Sequence, residues 1–386
     1  MIDTVMIEPQ ELTLTTIEAL GLASRHDLAN GHASQDLAPA QRAIVDRLPE
    51  LWRRAARLRS ADAERLYRDA FRTLAECPSL AAYDRFKICP TASNSIDTVA
   101  TWLAEEGLAT ALIEPTFDNL YLILKRRGVQ LVPLPEATLR AEDPAAALAA
   151  TGAGAVFLVN PNNPTGFVLD ERAFTAIVDA CAANRQVLVL DNTFRFFTAP
   201  RFDMYRILIA SGIRWLSIED TGKVWPTQEI KASLLFTSPD LFAAIDRIYD
   251  EIFLCHSNFA LAILTEFLLD AHRRGLANAV WQTVAERRAL VRRALQGTAL
   301  EVHPASLPST LSVEWLRIRS RFASDLALVE HFRERNLVLL PGRQFYWSRR
   351  GPAAVTDSVR LALLKPGPDF LAAVQFIARD LRSVAP

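Results

Sequence analysis

Short apolar runs alternate with amphipathic stretches through the middle of the chain. The apolar runs are rich in β-branched residues, as expected of strands buried on both faces of a parallel sheet. Between them, Asn119–Arg127 and Glu171–Asn184 have helical spacing, and this order implies right-handed β-α-β crossovers. The predicted strands are Ala109–Ile113, Val129–Val132, Ala155–Val159, Val187–Leu190, Trp215–Ile218 and Ala232–Phe236, the last as a candidate antiparallel edge strand.

The pattern changes near residue 280. A long helix is predicted at Val284–Leu295, followed by strands at Leu311–Arg317 and Ser358–Leu363. The sequence therefore predicts an α/β protein with an N-terminal segment (1–60), a large domain (61–280) and a small α+β domain (281–386).

Composition narrows the class of protein. The chain has 386 residues, 50% of them apolar, which is enough for one large core and a smaller lobe. The net charge of −1 gives no sign of a nucleic-acid partner. No apolar run is long enough to cross a membrane, and Met1–Glu8 lacks the basic and apolar regions of a secretory signal. We therefore expect a cytoplasmic protein.

The four cysteines are scattered without short-range pairing. This spacing provides neither a zinc template nor a disulfide framework, so we expect no metal and reduced, buried thiols. The cysteines are Cys77, Cys89, Cys181 and Cys255.

Three motifs follow one another in an order typical of a pyridoxal 5′-phosphate (PLP) site. They are the turn Asn160–Gly166, the segment Asp191–Arg195 and the segment Ser217–Pro226, which contains Lys223. A lysine in a partly desolvated cleft has a lowered pKa and becomes a nucleophile for the cofactor aldehyde. Asp191 ends a predicted strand, where it can keep the cofactor's ring nitrogen protonated. Without the other motifs, a helix N-cap would be the better interpretation of Asp191.

Further residues match the remaining parts of the cofactor. Asn163 has an amide suited to the phenolic oxygen, although the same string also suits a rigid turn. Thr91 and Ser93 precede a predicted helix at Asn94–Leu103, and a helix N-terminus binds phosphate. Lys231, eight positions beyond Lys223, adds a cation there; the alternative is a solvated lysine at a strand edge.

These motifs resemble the fold-type I (class I/II) aminotransferases along nearly the whole chain. The resemblance implies PLP, a mainly parallel seven-stranded sheet and a homodimer. It also implies a ring-stacking phenylalanine, two residues that grip the cofactor, a lysine that bonds to it and an arginine for the substrate α-carboxylate. Phe117 is the phenylalanine that stacks on the ring, and Asn163 and Asp191 are the two residues that grip the cofactor. Lys223 bonds to the cofactor, and Arg360 binds the substrate α-carboxylate.

Two positions depart from the common pattern of that family. Phe194 stands where a tyrosine usually donates to the phenolic oxygen, and Lys231 stands where an arginine usually holds the phosphate. Both departures alter the electronic setting of the cofactor, so they favour a reaction other than ordinary transamination.

A closer resemblance is to the PLP-dependent L-arginine oxidases, which include arginine 4-hydroxylases of antibiotic pathways of the enduracididine type. That resemblance implies a guanidinium held by Thr15, Glu18 and Asp220, with Asn30 replacing an acid found in the family. It thereby implies that the N-terminal segment contributes to the substrate site and to the small domain. Carboxylates are natural partners of a guanidinium. The strings that carry it are Asn30–Ala33, Pro115–Asn119, Ile218–Pro226 and Arg343–Trp347.

The resemblance implies a reaction as well. Lys223 removes the Cα proton, O2 takes up the electrons, and His32 guides water to Cγ. A lone histidine in such a segment is more often a surface or capping group. The rival activity is a conventional aminotransferase for a basic amino acid, and a non-catalytic PLP-binding regulator is the alternative from another class. Ile252–Leu254 either lines a dimer contact or packs in the core.

Overall fold

The computed structural model describes residues 12–141, 143–199, 202–319, 322–349 and 351–383. Residues 1–8, from which we expect no secretory signal, lie outside these ranges. Within the described ranges no helix is both long and apolar enough to cross a membrane.

Many helices begin at a side chain that accepts a hydrogen bond from the first turn, as Thr91, Asp170 and Ser257 do. The described helices are α1 (Leu14–Leu22), α2 (Pro39–Asp46), α3 (Leu48–Ala55), α4 (Ser60–Leu74), α5 (Ala92–Glu105), α6 (Asp118–Arg126), α7 (Pro144–Ala149), α8 (Glu171–Asn184), α9 (Met204–Ser211), α10 (Phe242–Ile252), α11 (Asn258–Arg274), α12 (Gln282–Ala294), α13 (Asp325–Arg333) and α14 (Gly367–Ser383).

The strands fall into one large sheet and two small ones. They are β1 (His26–Asp27), β2 (Phe86–Cys89), β3 (Thr110–Glu114), β4 (Leu131–Pro135), β5 (Ala155–Val159), β6 (Val187–Asp191), β7 (Trp215–Asp220), β8 (Ser233–Thr237), β9 (Leu300–Val302), β10 (Val313–Ile318), β11 (Leu337–Val338), β12 (Leu340–Pro341) and β13 (Ser358–Ala362).

The large sheet has seven strands in the order β2-β8-β7-β6-β5-β3-β4. Only β8 runs against the others, because it pairs antiparallel with both β2 and β7 while the remaining pairs are parallel. Strands β3, β5, β6 and β7 are buried along their whole length. The predicted α/β class and the mainly parallel sheet are therefore confirmed.

The predicted edge position of β8 is wrong, although its antiparallel direction is right. The edge strand on that side is β2, whose sequence Phe86–Cys89 is short and contains a lysine, so it gives only a weak apolar signal.

The two small sheets join the ends of the chain. The order β12-β13-β10-β9 forms a four-stranded antiparallel sheet, and β1 near the N-terminus pairs in parallel with β11. Helix α1 packs against β11 and β12. The N-terminal segment is thus attached to the C-terminal part of the protein, while the proposed division at residues 60 and 280 stays a prediction.

Two local expectations fail on exposure. Cys255 is exposed, whereas Cys77, Cys89 and Cys181 are buried as expected. Leu254 is 98% exposed and Ile252 is 51% exposed, so the core alternative for these two residues is wrong.

Candidate active site

A cavity opens where the parallel strands end. Asp191 and Asp220 are the last residues of β6 and β7, and Thr116 and Asn163 follow β3 and β5. Because parallel strands present their carboxyl ends at one edge, residues far apart in sequence line the same space. The space not filled by protein atoms, including the open mouth, is about 710 Å³, which is the size of a small-molecule site.

Lys223 projects into this cavity from the turn that follows β7. Burial lowers the pKa of its amine, and the nearby charges of Arg360 and Lys231 lower it further, although Glu18 and Asp220 act in the opposite direction. A larger fraction of neutral amine follows, which is the form needed for nucleophilic attack and for proton abstraction.

Asp191 provides a buried carboxylate on the cavity wall. Its Oδ1 accepts hydrogen bonds from the Thr193 N–H at 2.9 Å and from the Thr193 hydroxyl at 2.5 Å. Burial raises the pKa of Asp191 to about 6 despite these hydrogen bonds. A buried carboxylate without a cationic partner is costly, so this position suits a protonated ring nitrogen.

Another group of residues that lines the cavity suits a phosphate. Thr91 caps α5 by accepting from the Asn94 N–H at 3.2 Å, and the exposed Ser93 lies in the first turn of that helix. Lys231 also lines the cavity. A Cβ at Gly222 would lie 3.0 Å from Cδ of Lys231, so this glycine lets the lysine approach closely. Helix N-terminus and ammonium together form an anion site.

The flat part of a cofactor has matching surfaces. Phe117 and the buried Phe194 both line the cavity, and Phe194 has no hydroxyl to offer. Asn163 is buried, and its Oδ1 accepts from Nη1 of Arg360 at 3.3 Å. These residues fit a pyridine ring with its substituents.

Arg360 reaches the cavity from β13 of the small sheet and is 1% exposed. Its Nη2 lies 3.0 Å from Oε1 of Glu18 and donates to the carbonyl of Ala29 at 2.7 Å. Its Nε has no hydrogen-bond partner within the described part of the chain. The arginine therefore has donor capacity directed toward a further acceptor, as a substrate carboxylate would provide.

The structure brings two of the three expected guanidinium ligands to the site. Asp220 lines the cavity, and its buried Oδ1 has no hydrogen-bond partner among the residues described. Glu18 contacts Arg360 as stated above. Thr15 is exposed and is not among the residues that line the cavity.

His32 lines the cavity, and its imidazole contacts the exposed carboxylate of Glu229. Its Nδ1 lies 3.0 Å from Oε1 of Glu229, and the other oxygen of Glu229 lies 2.8 Å from Nζ of Lys231. The charge of Lys223, followed by burial and the charge of Lys231, lowers the pKa of His32 to about 3. The charges of the two lysines and burial therefore favour the neutral imidazole. The backbone N–H of His32 donates to Oδ1 of Asn30 at 2.8 Å.

No sequence motif identifies Glu229 as a residue of the site. Gln228 and Glu229 both have left-handed backbone, with φ of 52° and 64°, which is uncommon outside glycine. Consecutive residues of this kind cluster at functional sites, where surrounding structure sustains the strain. No apolar periodicity or motif signals such a turn.

A buried polar network supports the strand ends from the other face of the sheet. Glu219 accepts from Nε of Arg195 at 2.8 Å and from the Tyr205 hydroxyl at 2.6 Å. Asn192 donates to the hydroxyl of Ser217 at 2.9 Å. Asn192 follows Asp191 and Glu219 precedes Asp220 in the chain, so this network lies directly beside the backbone of both cavity carboxylates.

The fold and this cavity define a PLP-dependent enzyme of the aminotransferase-like class. The chain belongs to the family described as aminotransferase class I and II, whose model matches residues 80–365. Within the described ranges no group of three or more His, Cys, Asp or Glu side chains is arranged to hold a metal ion.

Solved structures agree with this class. The structure of MppP soaked with the product 2-ketoarginine matches with a TM-score of 0.84 and 35% identity, covering 92% of this chain and 99% of that one. Aspartate aminotransferase from Thermus thermophilus with maleate matches with a TM-score of 0.76 and 15% identity over 95% of this chain and 96% of that one, which shows the fold alone.

A curated relative points to another member of the same class. Histidinol-phosphate aminotransferase from Deinococcus radiodurans is 25% identical over 247 residues, which is 62% of this chain and 64% of that enzyme. The match thus spans less than two thirds of that relative's length.

Proposed function

We propose that this enzyme uses PLP and O2 to oxidise a free amino acid, L-arginine, to a 4-hydroxy-2-oxo acid or an unsaturated 2-oxo acid. Ammonia and hydrogen peroxide are the other products. The observation that carries the proposal is a pair of carboxylates that the cofactor does not use. Asp220 has an Oδ1 without a hydrogen-bond partner among the described residues, and Glu18 contacts the Arg360 that we assign to the substrate carboxylate.

The charges in the cavity can be assigned one by one. Lys231 suits the cofactor phosphate, Asp191 the ring nitrogen and Arg360 the substrate α-carboxylate. Asp220 is then a buried carboxylate whose Oδ1 has no hydrogen-bond partner in the described part of the chain, and the nearby charges of Lys223 and Lys231 are both assigned to the cofactor. A further cation is favourable there, because an unpaired buried charge is costly. A guanidinium offers paired N–H donors that match carboxylates.

The comparisons support arginine and leave transamination as the second candidate. MppP was studied with 2-ketoarginine, and this chain aligns with nearly all of it. The curated relatives are aminotransferases, so a conventional aminotransferase for a basic amino acid is the alternative. Phe194 favours oxidation, because the cavity lacks the tyrosine hydroxyl that is common in transaminating relatives.

Each residue has a definite task in the proposed reaction. Bound PLP supplies an electron sink for the electron pair left when Cα loses its proton. Lys223 removes that proton, Asp191 keeps the ring nitrogen protonated, and Arg360 fixes the substrate carboxylate. The neutral imidazole of His32 accepts a proton from a water molecule while the oxygen of that water bonds to Cγ of the substrate.

The proposed reaction balances for the hydroxylated product. Arginine, two O2 and two water molecules give the 4-hydroxy-2-oxo acid, ammonia and two hydrogen peroxide. Each O2 accepts two electrons and two protons. Without addition of water at Cγ, the product keeps a carbon–carbon double bond.

An oxygen electrode distinguishes oxidation from transamination. With L-arginine and no oxo-acid acceptor, the purified holoenzyme should consume O2, and catalase should return half of the consumed oxygen because peroxide is the reduced product. Mass spectrometry of the same sample identifies the oxo acid. Turnover that requires an added oxo acid and leaves O2 unchanged would support the aminotransferase instead.

Replacing His32 with asparagine should change the product more than the rate of oxygen uptake. We expect the ratio of hydroxylated to unsaturated oxo acid to fall about 10²-fold, because general acid–base groups contribute at least that much to proton transfer. The ratio is measured by liquid chromatography and mass spectrometry. An unchanged ratio would remove His32 from the hydration step.

We also propose that the enzyme is a cytoplasmic homodimer. The apolar residues Ile252 and Leu254 support a contact between copies, since both are exposed and only one residue separates them in the chain.

A further inference from the structure

The two groups expected to bind opposite ends of the substrate are paired with each other. Oε1 of Glu18 lies 3.0 Å from Nη2 of Arg360, and the same oxygen accepts from the Gly31 N–H at 3.3 Å. The side chain of Arg360 is 1% exposed and that of Glu18 is 13% exposed. A carboxylate of the protein thus occupies part of the donor set that a substrate carboxylate needs.

The burial of this pair restricts what can replace it. A ligand carboxylate that takes over Nη2 of Arg360 leaves Glu18 charged, mostly buried and without its partner, which is strongly unfavourable. The nearby ammonium of Lys365 is already committed, because its Nζ lies 2.8 Å from Oδ2 of Asp27. Lys223 is another amine near this carboxylate, since the charge of Glu18 acts against the burial that lowers its pKa, but that amine is assigned to the cofactor aldehyde in the holoenzyme. The ligand itself must therefore bring a cation for Glu18.

We propose that Glu18 is a specificity-determining residue that competes for Arg360 until a ligand with a carboxylate at one end and a cation at the other displaces it. One internal ion pair is then exchanged for two pairs with the ligand. A ligand with only a carboxylate leaves Glu18 without a cationic partner. A ligand with only a cation that takes Glu18 leaves Arg360 without a carboxylate partner. The inference rests on the proposed function for its choice of ligands.

Three ligands without an α-amino group test the exchange, because they cannot react with the cofactor. They are 5-guanidinopentanoate, its uncharged counterpart of nearly the same shape 5-ureidopentanoate, and pentylguanidine, which lacks the carboxylate. Binding to the holoenzyme is measured by calorimetry. For the native enzyme we expect the guanidino acid to bind about 10²-fold more tightly than either of the others, as when one partner of a buried charge pair is missing.

The decisive variant is Glu18→Gln. We expect 5-ureidopentanoate to bind it about tenfold more tightly than it binds the native enzyme, because the internal competitor has lost its charge. The guanidino acid should bind it more weakly. Hexanoate, a carboxylate with no polar group at its other end, should also bind this variant more tightly, and in that complex the new amide has no ureido oxygen to donate to. If Glu18 only contacted the guanidinium, the affinity for hexanoate would not rise, and this outcome would overturn the proposal.

Two control variants separate charge exchange from other effects. Glu50→Gln removes a negative charge from an exposed surface pair with Arg47 and should leave all three affinities unchanged. Glu18→Asp keeps a carboxylate on α1 and should bind hexanoate less tightly than Glu18→Gln does. If the Asp and Gln variants behave alike, altered packing of α1 accounts for the effect and the proposal fails.

The result can be separated from the proposed oxidation. Oxygen uptake with L-arginine tests the reaction, whereas the ligands without an α-amino group test binding alone. Uptake together with an unchanged hexanoate affinity would reject only the role of Glu18. A tighter hexanoate complex without uptake would keep the selectivity for doubly charged ligands and reject the oxidase.

Discussion

Lys223→Ala should lower the rate of product formation from L-arginine by about 10³-fold or more, because it removes both the nucleophile and the base for the Cα proton. The burial that lowers the pKa of this amine makes it the best suited base in the cavity. Ammonia release under single-turnover conditions measures the chemical step directly.

Lys231→Ala is the matched control for the loss of a cavity lysine. It should weaken PLP binding, and saturating PLP should restore much of its activity, whereas added PLP should not rescue Lys223→Ala. A thermal melt confirms that each variant is folded. If the Lys223 variant kept more than about a tenth of native activity, the assignment of the base would be wrong.

Asp191→Asn should lower turnover by about 10²–10³-fold, the usual cost of removing one well-placed electrostatic partner. An amide is nearly the same shape and can still accept from Thr193, but it cannot hold the ring nitrogen in its protonated form. Steady-state kinetics at saturating PLP measure the loss. Asp191→Glu, which keeps the charge, should retain more activity than the Asn variant.

The same substitution should stabilise the cofactor-free protein at neutral pH. Burial raises the folded-state pKa of Asp191 to about 6, above the value of a solvated aspartate. The folded state therefore binds this proton more tightly, so the contribution of Asp191 to stability is largest below pH 4 and is lost as the pH rises to about 6. At pH 7 asparagine should raise the free energy of unfolding by about 1–3 kcal/mol.

Urea unfolding of the native protein and the Asn variant, both without PLP, checks this sign. The difference between the two should shrink as the pH falls from 7 to 4. A variant that is less stable than the native protein at pH 7 would mean that the carboxylate has a cationic partner in the cofactor-free state.

The sequence predicts the large sheet well because its strands are buried on both faces. Ala155–Val159 and the helix Glu171–Asn184 were predicted with the bounds that the structure shows. The position of β8 was not predictable, because apolar periodicity reports burial but not the neighbour of a strand. β2 was missed, since a four-residue strand with a lysine resembles a loop.

The site residues were predictable where each of them lies in a short motif of its own. Asn163 and Lys223 follow strands of the large sheet and Asp191 ends another, so their convergence at one edge follows from topology. The role of Arg360 was predictable only from the family resemblance, because its local sequence does not indicate that a residue of the small sheet reaches this cavity. Glu229 depends on a left-handed turn, and the pairing of Glu18 with Arg360 depends on tertiary contacts between distant segments.

The parallel pairing of β1 with β11 has a practical consequence for altering substrate range. Helix α1, which carries Glu18, is anchored to the same part of the molecule that carries Arg360, so recognition of the two ends of the substrate is mechanically linked. Grafting a new side-chain preference onto this scaffold by exchanging α1 alone would leave a foreign helix on an unmatched support. Residues 12–33 and 337–364 should be exchanged together, as one module.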